Sequence, residues 1–97
     1  MTQPAPVKVD VARRPDFREN YANSVQMRVN LWDFYLEFGV VSQTDPSVVH
    51  IESYQGIYLS PQQAKALLGV LQQNVAQYES TFGEIRREGK AGMGVVH

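Results

Sequence analysis

The chain has no cysteine among its 97 residues, which excludes disulfides, thiolate metal sites and thiol nucleophiles and fits a reducing compartment, with the cytoplasm as the expected location. Histidine is almost as scarce. Only His50 and His97 are present, and no set of three or four converging ligands is spaced for a metal, so neither metal nor cofactor is expected. No apolar run approaches the roughly 18 residues of a membrane span. The start, Met1-Thr2-Gln3-Pro4-Ala5-Pro6, lacks the basic region and apolar stretch of a secretory signal, so no membrane partner is expected. Gly89, Gly92 and Gly94 neither follow a strand nor open a helix, which removes a phosphate-cradling loop.

Positive charge is missing where a fold is expected. From Glu19 to Ile85 only Arg28 and Lys65 stand against seven acids, whereas the ends carry Lys8, Arg13, Arg14 and Arg18, and Arg86, Arg87 and Lys90. A groove that tracks phosphates needs clustered Lys and Arg on the folded surface. Nucleic acid is therefore not an expected partner, and DNA binding would have to run through the basic arms.

What is present is clearest at Leu59-Ser60-Pro61-Gln62-Gln63-Ala64-Lys65. Ser60 suits an N-cap, Pro61 the first helical position, and Gln63 the reciprocal place in a capping box. Ala64, Leu68, Leu71, Val75, Tyr78 and Phe82 then recur at alternating spacings of four and three, with Leu67 widening the stripe. The pattern predicts a helix over 61–82, closed by Gly83.

Ahead of it, Val25, Met27, Val29 and Leu31 alternate with Ser24, Gln26, Arg28 and Asn30, and Phe34, Leu36, Phe38 and Val40 alternate with Tyr35, Glu37 and Gly39. These are two strands with a reversal in Asn30-Leu31-Trp32-Asp33. Gln43-Thr44-Asp45-Pro46-Ser47 is a turn cluster, and Val48–Tyr54 with Ile57–Leu59 reads as a third strand bulged near Gln55-Gly56. The expected fold is α+β: a three-stranded antiparallel meander followed by one long C-terminal helix packed on one face, in a dimer. Residues 1–16 read as a flexible arm, 17–85 as a single β-β-β-α domain and 86–97 as a disordered tail. In the arm, Val7, Val9 and Val11 alternate with Lys8 and Asp10 and suit an edge strand.

Strands of seven or eight residues span about 23–26 Å, whereas a 22-residue helix spans about 33 Å. The helix is thus expected to overhang its sheet, leaving Tyr78 and Phe82 for a second copy to cover. Gly69 suits a close approach of backbones. The expected dimer interface is Gly69, Val75, Tyr78 and Phe82. The competing reading folds both rings back onto Phe17, Tyr21 or Trp32.

His50, Glu52 and Tyr54 alternate on one face of the third strand and form a speculative polar site for acid/base chemistry. Amphipathicity alone explains the pattern, so no catalytic residue is assigned. Asp33 is expected to serve as a turn acceptor and Asn23 to satisfy loose backbone donors.

Several of these residues form a combination: Tyr21-Ala22-Asn23, Asp33-Phe34 with Phe38-Gly39, Leu59-Ser60-Pro61 with Ala64-Lys65, and Tyr78-Glu79 with Phe82-Gly83-Glu84-Ile85. In them the chain resembles the domain of unknown function 3467 family of small bacterial proteins, over about residues 17–85 with both ends outside. The resemblance implies a shared fold and transfers no catalytic or binding residues. The expected function is a non-catalytic interaction or assembly module, a homodimer that engages another protein through a free strand edge. The alternatives are a small acid/base enzyme using His50 and Glu52, and DNA binding through the arms.

Overall fold

Alternation in the first half and heptad spacing in the second give the element order β1 (Ser24–Val29), β2 (Phe34–Asp45), β3 (Val48–Leu59) and α1 (Pro61–Phe82) in a computed structural model that describes residues 5–87. The strands form one antiparallel sheet in the order β1-β2-β3. The α+β class and the meander are as expected. Most of the tail, from residue 88 on, lies outside the described residues.

The first reversal is held by Asn30, whose Oδ1 accepts from the Trp32 and Asp33 amides at 2.7 and 2.9 Å. Asp33, the expected acceptor, contributes only its carbonyl, bonded by the Asn30 amide at 3.0 Å. The Asx turn therefore starts at Asn30, three residues before the expected acceptor, because Asn30 directly follows β1 and reaches forward over the turn. Asn23 does satisfy a loose donor, the Val41 amide, at 2.7 Å.

Two boundaries differ from expectation. β2 runs through the turn cluster to Asp45 and β3 starts at Val48, because the ladder continues past an irregularity between Ser42 and Asp45 and the turn shrinks to Pro46-Ser47. The bulge falls at Tyr54, one residue before the expected place, since Phe38 pairs with Gln55 and Gly39 with Ser53. Gly39 explains it. A Cβ there would lie 2.5 Å from the Glu52 carbonyl oxygen, so β3 presses on β2 where no side chain intervenes. Gly56, expected to mark the bulge, instead leaves room for the Tyr35 ring.

Strands of 12 residues reach about 40 Å, longer than a 22-residue helix at about 33 Å. The expected shortfall of sheet beneath the helix is thus overturned. The exposure it was meant to explain is real, and has another cause: α1 leaves the sheet. Its contacts with the strands are few and are made chiefly to β3, and no residue of α1 is buried among the described residues. Leu36, at 7% exposure, is the one buried large apolar residue described.

The helix itself is well made. Ser60 has extended backbone angles and its Oγ accepts from the Gln63 amide at 3.1 Å, with Pro61 at the first position. At the far end Gly83 adopts φ 106° and ψ 169° and its amide reaches the Glu79 carbonyl at 2.9 Å. That φ favours glycine, although ψ is extended rather than that of the usual left-handed cap.

Candidate interaction surfaces

Pairing assigns the faces of the sheet. Val25, Met27 and Val29 stand beside Phe38, Leu36 and Phe34, which continue across to Gln55, Ile57 and Leu59. This apolar face looks toward α1. Met27, Phe34 and Leu36 from the sheet and Leu67, Leu68 and Leu71 from the helix line an open cleft of about 610 Å³. Beside it, Phe17 and Ala22 of the segment before β1 meet Phe38, Tyr54 and Ile57 around a second hollow of about 490 Å³. The apolar face is covered at its margins and open between.

The expected interface residues lie beyond that cleft. Val75, Tyr78 and Phe82 follow Leu71 along the stripe, and Tyr78 and Phe82 remain 50% and 74% exposed. Their rings pack on each other at 4.9 Å, a pairing one helical turn apart that holds a joint apolar surface outward. Among the described residues the aromatic pairs are this one and Tyr35 with Tyr58, so the rings are not stacked on Phe17, Tyr21 or Trp32. Gly69 has nothing within 4 Å of the space a Cβ would take.

The opposite face carries a polar cluster that the sequence reading passed over. Glu37, in the first half of β2, accepts from the Ser53 hydroxyl at 2.6 Å and the Tyr35 hydroxyl at 3.0 Å. Tyr35 lies 4.7 Å from the Tyr58 ring, and the Arg28 guanidinium sits 4.5 Å from its centroid. The two hydroxyl bonds, Ser53 first and Tyr35 second, hold the Glu37 carboxyl below its ordinary range. The same carboxylate, by accepting the Tyr35 proton in a hydrogen bond, pushes that phenol up. Alternation around Glu37 could have revealed Tyr35, but Ser53 reaches it only because of the bulge.

That bulge also turns the proposed trio away from the polar face. Glu52 and His50 pair with Val40 and Ser42, which sets them on the side of Phe38 rather than on the polar face, while Ile51 and Ser53 take the other side. The expectation of one wholly apolar and one wholly polar face fails in this half of the sheet. His50 Nε2 and Glu52 Oε1 stand 3.6 Å apart and largely in solvent. Tyr54 is occupied elsewhere, donating to the Tyr21 carbonyl at 2.7 Å. Among the described residues no group of three His, Asp or Glu converges as a metal site, and no helix is long and apolar enough to cross a membrane.

The family described as Protein of unknown function (DUF3467) matches residues 1–87. The chain belongs to this family. Its match takes in the N-terminal arm, which the resemblance over 17–85 had left outside. No curated protein and no solved structure matches the chain.

Proposed function

We propose that the protein is a non-catalytic assembly module that acts as a homodimer, with the distal half of α1 from each copy laid against the apolar sheet face of the other. The supporting observation is that a capped 22-residue helix with a continuous heptad stripe buries none of its residues in its own chain. Helices in proteins draw most of their stability from packing an apolar face. Leu68, Leu71, Val75, Tyr78 and Phe82 are each between 41% and 74% exposed and together leave on the order of 500 Å² in water. With the open sheet face added, the area approaches the ~800 Å² per partner of a standard interface. A second copy brings both halves of the match, a stripe and a trough, and two-fold symmetry uses each twice. His50 and Glu52 have no part in this reading.

Light scattering tests it. The unaltered chain is expected at twice the chain mass, and Tyr78→Ser with Phe82→Ser at the chain mass with its sheet retained by circular dichroism. An unaltered chain that stays monomeric at every soluble concentration ends the reading.

A further inference from the structure

The arm and the edge of β1 fit each other. β1 pairs with β2 on one side only, and its other side presents the backbone donors and acceptors of a regular, unbulged edge strand, which readily accepts another strand. In the arm, Val7, Val9 and Val11 are almost wholly exposed and alternate with Lys8 and Asp10. In an extended conformation such a segment presents the valines on one face and Lys8 and Asp10 on the other.

β1 shows the same division, with Met27 and Val29 on the apolar face and Gln26 and Arg28 on the polar one. Arg28 is in none of the ion pairs formed among the described residues, and its guanidinium lies open above Tyr35. A register that sets Asp10 beside Arg28 places Val9 and Val11 beside Met27 and Val29, whichever way the arm runs. Apolar meets apolar, and the carboxylate meets the one arginine of the acidic body.

The chain's own arm is badly placed to do this. From Asn23, bonded to Gly39 and Val41 of β2, the preceding segment crosses the apolar face so that Tyr21 meets Tyr54 of β3 and Phe17 lies near Ile57. It leaves on the β3 side, two strands away from the β1 edge. β3, the nearer edge, is bulged at Tyr54 and offers Asp10 no arginine.

We infer that Val7–Val11 of one copy adds as a fourth strand to the β1 edge of a second copy. The identity of that second copy rests on the dimer reading above; the strand match does not. The family match over residues 1–87 places the arm within the family's common unit rather than outside it.

Because the chain lacks cysteine, two single variants test the exchange in the full-length protein. Asp10→Cys and Arg28→Cys, mixed and mildly oxidised, are expected to give the mixed covalent dimer at least ten-fold over the mixture of Asp10→Cys with Lys65→Cys. Light scattering of the unaltered chain is read alongside. A dimer without the preferred crosslink overturns the arm assignment and leaves the assembly standing, whereas a monomer without it removes both. A single chain carrying both substitutions that closes on itself overturns the exchange. Hydrogen exchange gives a second readout: Val9→Pro, which cannot donate to a ladder, is expected to speed exchange of the outward β1 amides at least ten-fold at unchanged mass. Unchanged exchange rates overturn the inference.

Discussion

The sheet is tied together by side chains at almost every irregular point, with Asn30 closing the first turn, Asn23 bonding to β2 and Ser53 reaching Glu37 across the strands. The helix is held by its two caps and makes few contacts beyond its own backbone. Each region is locally complete, but in different senses. The sheet has bonded most of its polar groups without gaining much burial, the buried Ser24 hydroxyl lacking a partner, and the helix has satisfied its ends while half-burying little more than Ala64 and Leu67. Hydrogen bonds specify a shape at small net gain, whereas burial supplies most of the favourable free energy. A chain built this way is organised within one copy and leaves its apolar stripe exposed.

Two glycines carry the contrast most directly. At Gly39 a methyl group would meet the backbone of Glu52 and Ser53 at 2.5 and 3.1 Å, and backbone cannot swing aside, so Gly39→Ala is expected to cost about 2–3 kcal/mol in urea unfolding. A cost under half that would mean the bulge is softer than its spacing implies. Ser60→Ala removes the oxygen that takes the Gln63 amide and is expected to cost about 1 kcal/mol, seen as a lower thermal midpoint. Gly69→Ala runs the other way. Nothing within 4 Å resists the methyl group, so a dilute, monomeric sample is expected to gain up to about 1 kcal/mol. If Gly69 lies against the backbone of a partner copy, the same change weakens self-association measured by sedimentation. Stabilisation with unaltered association would remove Gly69 from the interface.

The elements were legible because each carries a local signal. Ser60-Pro61 and the heptad stripe mark α1, and strict alternation marks β1 and the first half of β2. What was not legible depends on partners far along the chain. β2 appeared to end at the Gln43–Ser47 cluster because turn residues there look like a boundary, yet a ladder with β3 carries the strand through them. The bulge was sought at Gly56, the nearest glycine in β3, but the close approach is to Gly39 in the neighbouring strand. The side taken by His50 and Glu52 follows from the bulge itself and not from its exact place, since one inserted residue inverts the alternation between them and Ile57. The length argument for the exposed rings failed through the same boundaries, and the exposure itself stood because the stripe outruns its contacts with the sheet.

The smallest expected effect probes how the polar face is wired. Glu37 is held below its ordinary range chiefly by the Ser53 hydroxyl and next by Tyr35, so its contribution to stability is present above the ordinary carboxylate range near pH 4.3 and is lost as pH falls through its lowered value. Tyr35 is raised in the folded chain, so its contribution is present below about pH 10 and is lost as pH rises through the raised value. One hydrogen bond thus supports the sheet from both sides of neutrality, and the bulge supplies the other. Ser53→Ala is expected to move the Glu37 titration upward more than Tyr35→Phe does, followed by NMR of its side-chain carboxyl, while only Tyr35→Phe abolishes the alkaline dependence assigned to that phenol. The reverse order would mean that Ser53 does not hold its place across the bulge. The inserted Tyr54 would then be a loose joint in the sheet instead of the device that brings Ser53 to Glu37.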